Sequence, residues 1–368
     1  MERKSTSPNC PDSHPRPSPT FGSGPVALFV GFALLFVGSF RPGLSGQEYA
    51  LVVKDSRPEV NATGSASAAS VPTGVQEVVE LAEAPSGELL AEQSEKFHWV
   101  LQSDTRSLRS ANVARSGSAE QAASAVETTA VARLEFPVLS GPARSTFTPS
   151  VTALWQRAWF GRFAVDGADS VDSSLQALDY EFRSGSLGGE FALASGWKLS
   201  ANTSYDELHD FHAGDKLYHA VAPSLAIGRS YALGSGYLDL DVSVTYAFTK
   251  IYRSYQVAGQ FDDAGDNLRS ALNLALLLPL DDSGYFFFTP SLSLMRSAYD
   301  KGESIGRVDY LGHGELALVC RFTSWLYIRA FGNYQDKRGN EKAKTALGDS
   351  AEYVNWDAGL GISASFRF

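Results

Sequence analysis

The chain has 368 residues, 44% hydrophobic and 20% charged, with 33 Gly, two Cys and two Met. That composition excludes collagen-like, disulfide-scaffold and fully disordered chains. A formal net charge of -10 offers no basic field, so no nucleic-acid partner is expected.

Pro25 to Gly38 is the only continuous apolar stretch long enough to resemble a helix in lipid, preceded by Arg3, Lys4 and Arg16 and followed by Leu44-Ser45-Gly46. It is shorter than the ~20 residues a helix needs to cross a bilayer. Basic, apolar and small segments in that order make a secretory signal peptide, so residues 1–46 are expected to be an export signal cleaved near Gly46-Gln47. Cys10 would leave with it. Cys320, in Leu316-Ala317-Leu318-Val319-Cys320, then has no disulfide partner and reads as a small apolar filler.

Residues 47–145 change character. Asn61 to Ser70 is a run of small residues with little to bury, and Val75, Val78, Val79 and Ala82 suit one helical face until Pro85-Ser86-Gly87 interrupts it. The segment is expected to be mostly disordered with short helices.

From residue 146 to 368 the pattern is one of strands. In Tyr353 to Phe368 the even positions Val354, Trp356, Ala358, Leu360, Ile362, Ala364, Phe366 and Phe368 are all apolar, and the odd ones are nearly all polar or small. A strand sends these sets to opposite faces. The alternation recurs at Leu238 to Phe248, Leu268 to Leu280, Leu316 to Phe322 and Trp197 to Tyr205. Tight turns at Ser195-Gly196, Leu233 to Gly236, Asp281 to Gly284 and Thr323-Ser324 alternate with longer polar loops. Strands of this length, with turns at one end and loops at the other, describe an all-β fold: a transmembrane antiparallel β-barrel over 146–368. Counting back from Phe368 gives about ten strands. The apolar phase between Leu178 and Leu193 flips near Ser184-Gly185-Ser186. A bulge keeps one strand there, whereas a turn, with Arg133 to Leu139 added, gives twelve. Trp197, Tyr237, Tyr285 and Trp325 beside the turns, and Trp159, Tyr205 and Trp356 near the loops, are expected to form two interfacial girdles.

Carried by Phe368 and Phe366, with Ala364, Ile362 and Leu360 before them, the chain resembles the bacterial outer-membrane β-barrel class. That resemblance implies an outer-membrane location, lipid as surroundings, and Phe366 and Phe368 as a signal read by the barrel-assembly machinery. A periplasmic or surface partner is a further expectation.

The alternate, inward set includes Lys198, Asp239, Asp241, Arg269, Asp309, Glu315, Arg321, Arg329, Asp357 and Arg367, with Asp179, Glu181 and Arg183 added from the segment near 180. Opposed charges suit a narrow water-filled pore for small hydrophilic solutes, and they equally suit a barrel plugged by its own ion pairs. A third reading comes from Asp210-Phe211-His212, which is similar to the Asp-x-His pair of omptin surface proteases. The second acidic pair of that family has only Asp262-Asp263 as a candidate, by position. Scattered His residues give no ligand cluster, and Asp262 to Asp266 lacks the spacing of a calcium loop. Neither cofactor, metal nor enzymatic activity is expected.

Overall fold

The computed structural model describes residues 96–112, 122–141, 145–161, 175, 178–212, 214–252, 263–281, 283–343 and 352–368. The export signal expected at 1–46 lies outside these residues, as does the stretch that follows it to residue 95.

Thirteen strands make one sheet: β1 (His98–Ser110), β2 (Ala123–Glu135), β3 (Leu139–Ser140), β4 (Thr146–Phe160), β5 (Tyr180–Ala192), β6 (Trp197–Asp210), β7 (Lys216–Leu233), β8 (Gly236–Ile251), β9 (Asn267–Pro279), β10 (Phe286–Tyr299), β11 (Val308–Arg321), β12 (Leu326–Gly339) and β13 (Tyr353–Arg367). Each long strand pairs antiparallel with its neighbours, β13 pairs with β1, and β2 pairs with β4. The ring is thereby closed by twelve strands, with β3 a short extension beside the start of β4. Closure leaves no unpaired edge in the ring, which is the condition for a sheet to sit in hydrocarbon.

The connections at residues 193–196, 234–235, 280–285 and 322–325 define a turn end, where Gly196, Gly234 and Gly284 adopt φ of 80°, 63° and 67° that other residues rarely tolerate. β2 ends and β4 begins at this end too. The opposite ends of the strands mark the loop end.

Strand parity separates two surfaces. Leu316, Leu360 and Ile362 point outward and are 59%, 64% and 56% exposed, while Arg329, Gln335 and Asn355 point inward and are each 1% exposed. A soluble sheet protein buries its apolar set; this barrel displays it. Outward Trp99, Tyr285 and Trp325 ring the turn end, and Tyr205 and Trp356 the loop end. Tyr237, expected in the girdle, instead turns inward and packs against buried apolar residues, because it shares parity with Asp239 and Asp241 on β8.

Two expectations need correction. The main count of about ten strands falls short and the alternative of twelve matches the ring, but the added pair is β1 and β2, which lie inside the 47–145 segment read as mostly disordered. Their outer faces carry Ser103, Thr105, Ser107 and Thr128 instead of a run of large apolar side chains, so the periodic signal is weak. Thr105 Oγ1 and Thr128 Oγ1 meet at 3.2 Å across the two strands. The phase flip in β5 is not a bulge: β4 and β5 stay in register from Ala158↔Tyr180 to Thr146↔Ala192. Tyr180 and Phe182 are apolar residues inside the loop end, and Leu187 and Phe191 are apolar residues outside the barrel. The register shift lies between Leu208 and His209 on β6.

Candidate functional site in the barrel lumen

Inward side chains fall into two walls. On β11, β12, β13, β1 and β2 they are mostly buried against one another; on β4 to β10 the middle of each strand is half-exposed. The difference follows from size and charge, since the first wall carries long side chains that pair and the second carries mainly Ser, Thr, Asn, Ala and Gly.

The packed wall is held by ion pairs. Arg329 on β12 donates to Asp104 on β1 at 2.8 Å and lies 3.5 Å from Glu315 on β11. Asp104 also accepts from Ser363 Oγ at 2.6 Å, so β12, β13 and β1 meet on one carboxylate. Arg106 pairs with Glu127, and its guanidinium and that of Arg329 sit 5.9 Å and 5.0 Å from the ring centroid of Phe331. Toward the loop end Arg307 pairs with Asp309, which Lys337 approaches at 3.5 Å. Toward the turn end Arg367 donates to Glu135 at 3.1 Å, and Glu135 lies 3.2 Å from Arg133. Most charges taken from water thus have a counter-charge, without which their burial would be prohibitive.

The open wall is mostly neutral. Ser293 Oγ donates to Asn273 Oδ1 at 2.7 Å and Asn273 Nδ2 donates to Asp241 at 3.3 Å. Ser184 and Ser204 both donate to Asp206, at 2.6 and 3.1 Å. Lys198 is 3.8 Å from Glu190. Inward apolar side chains form collars near both ends: Phe160, Tyr180, Phe182, Leu208 and Tyr218 at the loop end, and Leu277, Phe287, Val319 and Tyr327 at the turn end, all buried.

The structure therefore places the ten sequence-derived residues as follows. Asp309, Glu315, Arg329, Asp357 and Arg367 lie on the packed wall, Asp357 accepting from Asn355 Nδ2 at 2.8 Å. Arg321 has the same inward parity at the turn end of β11. Lys198, Asp239, Asp241 and Arg269 lie on the other wall, with Arg269 Nε donating to Asn267 at 2.8 Å. Glu181 and Arg183 are corrected to the outer surface, because β5 has no bulge to turn them inward. Sequence reasoning missed Asp104, Arg106, Glu127, Arg133 and Glu135, all on the two strands it left out of the barrel. Ser103 and Thr105 stand between Gln102, Asp104 and Arg106, so no apolar alternation marked them.

The loop carboxylates are engaged locally. Asp210 accepts the backbone N–H of His212 at 2.7 Å, while the imidazole Nε2 lies 3.0 Å from Asp179, whose other oxygen accepts the Phe160 N–H at 2.8 Å. Asp210 thus caps a loop while Asp179 meets the ring of His212, whereas an Asp-x-His dyad would pair Asp210 itself with that ring. Asp262 lies outside the described residues; Asp266 accepts both the N–H and the hydroxyl of Thr249, at 2.6 and 2.9 Å, and burial lifts its carboxyl above the ordinary range. Cys320 is a free, half-buried thiol on the outer face of β11.

A closed twelve-stranded antiparallel barrel with an apolar exterior and a charged interior is the architecture of outer-membrane β-barrel proteins. Neither a protein-family model nor a curated protein matches the chain. Among solved structures the chain is similar to an outer membrane channel from Pseudomonas putida F1, at 11% identity and a TM-score of 0.40 over 73% of this chain and 95% of that one. It is also similar to the β domain of the Bordetella autotransporter BrkA, at 13% identity and a TM-score of 0.35 over 72% and 98%. The KdgM porin aligns at 9% identity and a TM-score of 0.37 over 72% and 99%.

Proposed function

We propose that the protein is an outer-membrane barrel that lets small hydrophilic solutes pass along the half-exposed wall of β4 to β10. The observation that carries this reading is the contrast between the walls. Ion pairs engage most charges of one, while the other offers water-accessible hydroxyl and amide groups with fewer fixed charges. Such a surface exchanges hydrogen bonds with water and polar solutes alike and binds neither strongly, which permits transit. The apolar collars favour a second reading, a non-conducting barrel that serves as a scaffold for a periplasmic or surface partner.

Conductance of the protein in planar bilayers tests the choice. The first reading expects small, stable, weakly selective steps, and replacing Arg269 and Arg321 by Ala moves selectivity toward cations by removing fixed positive charge from the lumen. Bilayers that hold folded protein and stay silent support the scaffold.

A further inference from the structure

The outer surface carries a feature the lumen does not explain. Along one line of register, oblique to the barrel axis because the strands tilt, Leu101, Ala132, Ala153, Gly185 and Tyr205 align on β1, β2, β4, β5 and β6. All five point outward, and the central three have at most a methyl group. Leu101 and Tyr205 thus wall a trough whose floor spans three strands, roughly 10 Å across at the usual strand spacing. One level toward the loop end the aligned residues are Ala130, Trp155, Arg183 and Glu207. The concavity has a volume of about 580 Å³ and touches all of these side chains.

Its loop-end rim is cationic. Glu181 is shared by two arginines: Arg157, whose Nη2 lies 2.6 Å away, and Arg183. One carboxylate against two guanidinium groups leaves a net positive charge. The side chain of Arg183 is 57% exposed, so it can still reach a ligand. Arg157 is fixed by rings, with Phe211 at 4.1 Å, Trp155 at 5.4 Å and Trp159 at 5.7 Å from its guanidinium carbon. Beside them Lys216 pairs with Glu207. A cationic rim above an apolar trough, within an interfacial aromatic girdle, matches a molecule with an anionic head and a hydrocarbon tail.

We infer that this groove holds one anionic lipid, its phosphate on Arg183 and an acyl chain over Ala132, Ala153 and Gly185. A plain lipid-facing wall would take any hydrocarbon; the paired arginines add selection by head-group charge. The inference rests on the membrane setting proposed above and is independent of conduction through the lumen.

The test is native mass spectrometry of the full folded protein in mild detergent, titrated with phosphatidylglycerol or phosphatidylcholine. Gly185→Leu fills the trough: a Cβ there meets nothing within 4 Å, so the backbone is not disturbed. Arg183→Gln removes the rim charge at an exposed position. The expected result is one retained phosphatidylglycerol, a preference over phosphatidylcholine, and at least a five-fold loss of retention in each variant. Heat-modifiable gel mobility confirms that both variants are folded. Equal retention of the two lipids, or unchanged retention in both variants, overturns the site. A dimer that disappears in Gly185→Leu overturns the lipid in favour of a second copy. Protein that does not insert into liposomes at all refutes the membrane setting and the lipid site together, whereas an inserted, unselective barrel refutes only the site.

Discussion

Arg329 and Asp104 lie 225 positions apart in the chain and 2.8 Å apart inside the barrel. Their bond reaches from β12 past β13 to β1, across the junction where the last strand meets the first. Ser363 of β13 joins the same carboxylate, so the seam that closes the ring is pinned from within by one charged cluster.

Arg329→Ala should leave Asp104 and Glu315 inside the wall without their main cation. Loss of one member of a buried pair typically costs about 3–5 kcal/mol. Reversible urea unfolding of the protein in lipid vesicles should register that loss. A change under about 1 kcal/mol would mean that water reaches the pair freely.

The two faces of β9 can be compared directly. Leu274 points outward and Asn273 inward. Leu274→Arg should cost about 2–4 kcal/mol near the bilayer midplane, and Asn273→Arg much less. Equal losses in the same unfolding assay would contradict the assigned faces.

Phe368 takes part in the seam through its backbone, donating to Trp99 O at 2.9 Å and accepting from the Trp99 N–H at 3.2 Å, while its ring stacks near Phe366. Deleting Phe368 should lower the amount of folded barrel in cells. Phe368→Ala keeps both backbone bonds, so comparing the two separates strand pairing from recognition of the ring by assembly factors. Normal levels for both would remove Phe368 from either role.

The 280–285 turn should respond to acid. Asp281 accepts from the Ser283 hydroxyl and from the N–H groups of Phe286, at 2.8 Å, and Tyr285, at 3.1 Å, which holds its carboxyl below the ordinary range. A lowered folded-state pKa means that the contribution is complete above the unfolded-state value and is lost as pH falls through the folded-state value. The stability difference between wild type and Asp281→Asn should therefore stay constant near neutrality and shrink below about pH 4. Thermal unfolding across that range checks the sign; a gap that widens in acid would contradict it.

The strand pattern was legible where both faces declare themselves. On β13 every outward residue from Val354 to Phe368 is apolar and its inward neighbours are small or polar, so periodicity alone fixes the faces. On β1 both faces are polar in the middle, Ser103 and Thr105 outside and Gln102 and Asp104 inside, and period two disappears into a hydrophilic run. On β5 both faces are apolar at different heights, which imitates a change of phase. The inward parity of Arg329 and Glu315 could be read from their strands. Their partner Asp104 could not, because pairing across the closure depends on which strand follows β13 around the ring, a fact that local periodicity does not contain. The outer trough was hidden for the same reason: Ala132, Ala153 and Gly185 are ordinary small residues until the register places them side by side.

The division of the lumen into a packed and an open wall separates two kinds of change that a barrel must tolerate. Substitutions among Ser, Thr and Asn on β4 to β10 alter the half-exposed surface of the lumen, yet remove no ion pair from the closure. Changes on β11 to β2 strike the closure first. Substitution is therefore expected to run faster on β4 to β10 than on the five strands that bear the charge clusters, so the two sides of one lumen would change at different rates.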